Sequence, residues 1–171
     1  MDLKQYIRDI ADFPEPGILF RDITPLLHHA PAFRHALDEM TAFAESRRVD
    51  AIVGIESRGF LFAAPIAARL ALPFVPVRKP GKLPAERMSV EYSLEYGDNR
   101  LDIHADALSR GQTAIVVDDL LATGGTAHAA AKLVELLGAR VDSALFLIEL
   151  AALGGRERLA GYEVRALLRY E

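Results

Sequence analysis

Cysteine is absent from the 171 residues, which rules out disulfide frameworks, thiolate metal sites and cysteine nucleophiles and gives no sign of an oxidising compartment. Aromatic residues are scarce at 8%, yet with 51% of the chain apolar and 26% charged there is enough material to bury roughly two-thirds of the unfolded surface. Long apolar runs are also missing. The longest, such as Ala63 to Ala68 and Ala144 to Ile148, fall far short of the roughly 20 residues that cross a bilayer, so no membrane partner is expected. Met1-Asp2-Leu3-Lys4-Gln5 has neither the basic start nor the apolar core of a signal peptide, which predicts a cytoplasmic address. Finally, there is no excess of positive charge. The formal net charge is −4, whereas affinity for a polyphosphate backbone needs a basic face, so no nucleic-acid partner is expected. The length predicts one domain over 1–171.

The charge is unevenly spread. Arg78, Lys79, Lys82 and Arg87 stand against the single acid Glu86 in the segment 78–87. On charge alone this cluster suits a small anionic ligand or a solvated basic loop equally well.

Apolar spacing predicts an amphipathic helix over about 32–47, through Phe33, Ala36, Leu37, Met40, Phe43 and Ala44. The run from Val49 to Ile55 reads as a strand buried on both faces, followed by a helix over Gly59 to Leu70. Phe74 to Val77 is a further short strand, although Pro76 withholds a backbone donor. The pattern then lapses over Arg78 to Met88, where Pro80, Gly81 and Pro84 point to a loop. Strand alternation over Val90 to Tyr96 and Arg100 to His104, with Gly97-Asp98-Asn99 as the turn, predicts a hairpin. Thr113 to Asp119 is a buried strand, Gly125 to Leu137 a helix closed by Gly138, and Val141 to Leu150 and Glu163 to Tyr170 two last strands. Such alternation implies an α/β fold with a mainly parallel twisted sheet flanked by helices. Ligands in such folds bind at strand carboxyl ends, here just after Ile55, Val77 and Val117.

After the strand ending Val116-Val117 comes Asp118-Asp119-Leu120-Leu121-Ala122-Thr123-Gly124-Gly125-Thr126, and then a helix. The amides of the small-residue loop Ala122, Thr123, Gly124, Gly125 and Thr126, its two hydroxyls and the positive end of the helix dipole suit a phosphate monoester. Asp118 and Asp119 would accept hydrogen bonds from sugar hydroxyls or hold the water shell of a divalent cation. An ordinary strand-to-helix turn with capping threonines is the alternative. The loop is neither a Walker motif nor a dinucleotide fingerprint. Glu56-Ser57-Arg58-Gly59, likewise between a strand and a helix, offers amides and a guanidinium to an oxyanion pair, although Arg58 suits a surface helix start as well. Phe13 to Arg21, with two prolines and a glycine, reads as a rigid irregular segment that presents Leu19, Phe20 and Arg21 on backbone outside any ladder. His28, His29, His35, His104 and His128 lack a metal-ligand spacing and read as surface or capping residues; only His128 falls near the phosphate loop. No protein-held metal is expected.

Val116 to Thr126 is similar to the signature with which type I phosphoribosyltransferases take the 5-phosphate of phosphoribosyl pyrophosphate (PRPP). Phe13 to Leu26, Glu56 to Phe62, Arg78 to Pro84 and Tyr92 to Gly97 resemble, in the same order, segments of family members that act on adenine. The likeness covers nearly the whole chain. It implies transfer of a phosphoribosyl group to N9 of adenine, giving AMP and pyrophosphate in purine salvage; a 6-oxopurine enzyme or a non-catalytic PRPP sensor of the same fold are the alternatives. It further implies a base-binding hood within 1–30, with Leu19, Phe20, Arg21 and Leu120 at the adenine, and a flexible flap and hairpin within 78–104. Glu56, Ser57, Arg58, Arg78, Lys79 and Lys82 would meet the pyrophosphate, with a non-proline cis peptide at Glu56-Ser57. The catalytic set would be Glu95, which handles the purine proton, with Arg58, Asp118 and Asp119; Tyr96 would hydrogen-bond the phosphoribosyl group or simply pack. Mg2+ carried mainly on the substrate and a homodimer complete the expectation.

Overall fold

A computed structural model describes residues 1–94 and 97–171. Glu95 and Tyr96, the expected proton-handling and phosphoribosyl-facing residues, lie outside the described residues. The chain divides into two compact units, Met1–Glu39 and Met40–Glu171.

In the first unit, β1 (Arg8–Ala11) and β2 (Leu19–Asp22) pair antiparallel, with Ala11 opposite Leu19 and Arg8 opposite Asp22. This corrects the sequence reading, which left Leu19 to Arg21 outside any ladder and gave Arg8 to Ala11 no element. The chain is folded back by Asp12, whose carboxylate accepts the Gly17 N–H at 2.7 Å, while the Phe13 N–H reaches the Ile18 carbonyl at 3.2 Å. Gly17 takes φ +86°, a backbone conformation open to glycine at little cost. A ribbon of two strands uses one edge of each, so β2 keeps an open edge of alternating N–H and C=O groups. Asp22 then turns the chain into α1 (Thr24–His28), accepting the Thr24 N–H at 2.9 Å and the Arg8 guanidinium at 2.6 Å. In α2 (Ala30–Glu45) the first turn is capped by Nδ1 of His29, which accepts the Ala32 N–H at 3.2 Å.

The second unit is built from β3 (Ala51–Ile55), α3 (Phe60–Leu70), β4 (Phe74–Val77), β5 (Arg87–Leu94), β6 (Gly97–His104), β7 (Thr113–Leu121), α4 (Gly125–Leu136), β8 (Arg140–Leu150), α5 (Gly155–Arg158) and β9 (Glu163–Tyr170). Five strands form one parallel sheet in the order β4-β3-β7-β8-β9. All five residues of β3 are buried, as expected for a parallel strand covered on both faces. The helix α3 packs on β3, β4 and β7, and α4 on β7, β8 and the hairpin β5–β6. Packing is close enough at Gly54 that a Cβ would lie 2.6 Å from the Phe74 ring and 2.7 Å from the Ala63 methyl.

Pro76 is tolerated because β4 is an edge strand. Immediately beyond it, Arg78 and Asp102 exchange backbone hydrogen bonds at 2.9 and 2.8 Å, which hooks the hairpin onto the sheet. The hairpin is further fixed by the fully buried Asp102 carboxylate, which accepts from Ser89 Oγ at 2.7 Å and Arg100 Nε at 3.1 Å, with Arg87 Nε at 3.4 Å. The expected turn at Gly97-Asp98-Asn99 is corrected: these residues pair in β6 with Leu94, Ser93 and Tyr92. Cross-strand pairing over the whole of Arg87–Leu94 outweighs their local turn preference, and the expected loop ends at Glu86.

At the end of α3 the chain turns at Ala71, which takes φ +53° in the left-handed region, a position glycine usually fills. Ala71→Gly is expected to stabilise the protein by about 0.5–1 kcal/mol, since relief of the left-handed cost exceeds the extra unfolded-state entropy of glycine. Urea unfolding followed by circular dichroism checks it; a lowered midpoint would contradict the reading.

Candidate active site

From β3 the chain proceeds to β4 on one side of the sheet, and from β7 to β8 and β9 on the other. The carboxyl ends of β3 and β7 therefore meet where the strand order diverges, the usual ligand position in such sheets. The loop that follows β3 packs directly on β7. A Cβ on Gly59 would lie 2.6 Å from the Ile55 carbonyl, 2.8 Å from Asp118 Oδ1 and 2.9 Å from the Val117 carbonyl, so the β3–α3 loop approaches this closely only with glycine there. The Glu56–Ser57 peptide is cis, at the bond where the resemblance placed one.

At the end of β7, Asp119 is buried and its neighbour Asp118 half-buried. The Asp119 N–H donates to Asp118 Oδ1 at 2.8 Å. Nε of Arg58 stands 2.8 Å from Asp119 Oδ2, an ion pair formed off the N–H direction, and Oδ2 itself has no hydrogen-bond donor. Although Asp118 keeps a window to solvent, burial of its carboxyl, with the Asp119 charge beside it, pushes its pKa well above the usual carboxylate range, more than Arg58 pulls it down. Two adjoining carboxyl groups thus stand here with too little positive charge from Arg58 to offset them.

Glu56 has the opposite electrostatic balance. Burial would raise its pKa, but the Lys79 N–H at 3.0 Å and the Arg78 guanidinium, with Nε at 3.2 Å and Nη2 at 3.3 Å, hold it below its ordinary value. Arg78 also donates to the Lys82 carbonyl at 3.2 Å. Its guanidinium thus ties the β3–α3 loop to the root of the segment after β4.

Two clefts meet at the carboxylates. One, of about 190 Å³, is lined by Arg58, the stretch Asp118 to Thr126, and Ala127. The other, of about 370 Å³, is lined by Glu56, Ser57, Arg58, Lys79, Tyr92, Asn99, Leu101, Asp118, Asp119 and Thr126. The first is walled by the start of α4, whose leading N–H groups have no partners within the helix and carry the positive end of its dipole. Gly124 at φ +82° lets the loop turn tightly into that helix. The small cleft suits a phosphate monoester, the larger one a second anionic group, and the carboxylates between them suit hydroxyls or a developing positive charge.

Residues 27–165 match the model of a family described as the phosphoribosyl transferase domain. The chain belongs to the phosphoribosyltransferase family. This phosphoribosyltransferase is 56% identical over 169 residues to the adenine phosphoribosyltransferase of Caldanaerobacter subterraneus subsp. tengcongensis, covering 99% of this chain and 98% of the relative. The crystal structure of adenine phosphoribosyltransferase from Thermoanaerobacter pseudethanolicus superposes with a TM-score of 0.96 at 54% identity, covering 99% and 98% of the two chains. That of the Saccharomyces cerevisiae enzyme, complexed with an imino-altritol bisphosphate and adenine, gives 0.93 at 40% identity, covering 98% and 97%. The parallel sheet with flanking helices is the type I fold that the sequence resemblance implied.

Of the expected site residues, Glu56, Ser57, Arg58, Lys79, Asp118, Asp119, Leu120 and the loop 122–126 line the joined clefts. Arg78 is engaged with Glu56 behind the larger cleft, and the exposed Lys82 lines neither. Leu19, Phe20 and Arg21 lie on β2 of the first unit, where the Phe20 ring meets that of Phe13 edge-on with centroids 5.1 Å apart and Arg21 pairs with Asp9. His128 lines neither cleft; burial, with Lys132 and Arg158 near it, lowers its pKa. Tyr92 was missed. Its hydroxyl is 3.2 Å from Thr126 Oγ1, and strand alternation puts it on the same face as the half-buried Val90, a signal available in the sequence.

The raised pKa of Asp118 gives a signed expectation. Above the unfolded value of 3.8, the unfolded chain loses its proton before the folded one does, so this carboxyl costs stability increasingly as pH rises. Asp118→Asn, whose amide oxygen can still accept the Asp119 N–H, is expected to raise the unliganded melting temperature at pH 7, the gain vanishing below about pH 4 where both states are protonated. Melting curves across pH 4–8 check it, and a pH-independent difference would contradict it.

Proposed function

We infer that the chain transfers the phosphoribosyl group of PRPP to N9 of adenine, releasing pyrophosphate and giving AMP. The observation that carries this reading is the full-length likeness, at 56% identity, to an adenine phosphoribosyltransferase. The paired clefts supply the chemistry. The loop Ala122 to Thr126 takes the 5-phosphate through backbone N–H groups and hydroxyls at the start of α4. Glu56, Ser57, Arg58 and Lys79 surround the diphosphate in the larger cleft, with Lys82 arriving from the segment after β4 and Arg78 supporting it through Glu56. Leu19, Phe20 and Arg21, with Leu120, read the purine: Phe20 stacks on the ring, and the open edge of β2 offers backbone donors and acceptors to its polar rim.

Attack of N9 on the anomeric carbon displaces pyrophosphate with inversion through an oxocarbenium-like transition state. Asp118 and Asp119 accept hydrogen bonds from the ribose hydroxyls and favour the positive charge that grows beside them. Glu95 takes or returns the purine proton. Among the described residues no group of three or more histidines or acids gathers to hold a metal alone. The donors present suit magnesium borne on the substrate: Asp119 Oδ2 is a hard oxygen with no hydrogen-bond donor, next to Asp118. Held beside these carboxylates, Mg2+ would supply positive charge to the diphosphate. Among the described residues no helix is long and apolar enough to cross a membrane. The reading includes a single catalytic domain with hood and flap, a cytoplasmic address and a homodimer.

Pyrophosphate release from PRPP, measured with adenine, hypoxanthine, guanine and xanthine in turn, with and without Mg2+, tests the reading. Adenine is expected to be preferred and Mg2+ required. Preference for a 6-oxopurine would overturn the substrate, and PRPP binding without release would mark a sensing protein. Glu95→Gln is expected to lower kcat by roughly 100-fold or more, in the range for a positioned acid or base, while the Kd for PRPP stays within about threefold. Unchanged turnover removes Glu95 from the mechanism.

A further inference from the structure

Behind the 5-phosphate loop lies an ion pair between a buried carboxylate and a partly exposed guanidinium, and it lines neither cleft. Glu149, near the carboxyl end of β8, is 3% exposed and stands in register with Leu121, the last residue of β7 before the loop. Arg156 of α5 grips it with both arms, Nε to Oε1 at 3.0 Å and Nη2 to Oε2 at 2.5 Å, and its remaining Nη1 donates to the Val164 carbonyl of β9 at 2.8 Å. Such bidentate pairing fixes the orientation of a side chain as well as its position.

What Arg156 fixes is its neighbour. A Cβ on Gly155 would lie 2.2 Å from the Ala122 carbonyl and 2.8 Å from the Leu121 side chain. From the other side, a Cβ on Gly124 would lie 2.7 Å from the Gly155 carbonyl and 3.2 Å from Arg158 Cβ. Two glycine backbones are therefore in contact, and the loop rests on the 155–158 turn with no side chain between to absorb a shift. The turn itself is a single short helix of four residues, too short to hold its place by its own hydrogen bonds. The buried Leu159 just past it holds one end in the core, and Glu149 anchors the other through Arg156.

We propose that Glu149 and Arg156 are positioning residues for the 5-phosphate loop: their ion pair clamps Gly155 against Ala122 and Gly124 and so presets the loop amides for the sugar phosphate. The role rests on the phosphoribosyl transfer inferred above. The pair acts on one end of the substrate only. Loss of the clamp weakens capture of PRPP and AMP and leaves the purine untouched. Burial opposes ionisation of Glu149, but the Arg156 hydrogen bonds outweigh it and depress its pKa, so the clamp stays charged at neutral pH.

Steady-state kinetics of the full chain test this with Glu149→Gln, Arg156→Gln, Arg156→Lys and Gly155→Ala, each first shown to be folded by circular dichroism. Asp142→Asn is the control, breaking the Arg47–Asp142 pair (2.8 Å) at the far end of the same strand. Displacing a binding group by about an ångström costs on the order of 100-fold. The KM for PRPP is accordingly expected to rise roughly tenfold or more in Glu149→Gln, Arg156→Gln and Gly155→Ala, with the KM for adenine within about twofold and Arg156→Lys recovering part of the loss. The control should leave both constants unchanged. Calorimetric binding of ribose 5-phosphate reads the same loop without turnover. Wild-type protein that binds ribose 5-phosphate yet makes no AMP sinks the transfer reading but not the clamp. Folded Glu149→Gln and Gly155→Ala proteins with wild-type PRPP KM and ribose 5-phosphate affinity sink the clamp, as does an equal rise in the KM values of both substrates.

Discussion

Close approach of main chain at three glycines is the constraint on which the chemistry hangs. Because β3 and β7 are neighbours in a parallel sheet, the loops leaving them emerge side by side and must share one small volume. Gly59 admits the first against Asp118, and Gly124 and Gly155 admit the second against its support. A methyl group at any of these three positions meets atoms within 3 Å. Residues far apart in the chain, Arg58 and Asp119, can then form an ion pair at 2.8 Å on main chain that has little room to move. A site that has to hold a flexible sugar diphosphate gains from such prior fixing, since less ordering is left to be done on binding.

The same crowding sets the electrostatics. Asp118 and Asp119 are held together by covalent adjacency and by the hydrogen bond between them, and Arg58 offsets only part of their charge. By themselves the two carboxyl groups are unfavourably placed, and the arrangement becomes favourable when cationic character arrives between the two clefts. This is the usual bargain at a catalytic centre, where stability is given up locally for a field aimed at the transition state. Basic residues on the opposite side divide their work. Lys79 lines the larger cleft, whereas Arg78 is committed to Glu56 and holds two loops together.

Much of this was legible in the sequence, for reasons that differ by element. The stretches Ala51 to Ile55 and Ala114 to Val117 declare buried parallel strands because nothing polar interrupts them, and Asp118 to Thr126 declares a phosphate-taking turn because small residues, hydroxyls and a helix start coincide. The strand Arg8–Ala11 was not legible, since its mixed residues carry no alternation and its pairing is created by the fold-back at Asp12 and Gly17. Gly97 to Asn99 misled because turn preference is local, whereas their pairing with Leu94 to Tyr92 is decided across the hairpin. The diversion of Arg78 to Glu56, and the contact of Gly155 with Ala122, depend on tertiary proximity that no spacing encodes.

The two outer strands of the sheet carry a further consequence. On β4 the outward-facing position is Pro76, which has no N–H to offer, and just past it the Arg78–Asp102 bridge lays the hairpin along the same margin. On β9, the other margin, Arg165 and Arg169 stand exposed along an eight-residue strand. Missing donors, a covering ribbon and charged side chains are the means by which proteins prevent sheets from growing by addition of foreign strands. Addition of a foreign strand to the five-stranded sheet of the folded protein is therefore disfavoured at both margins.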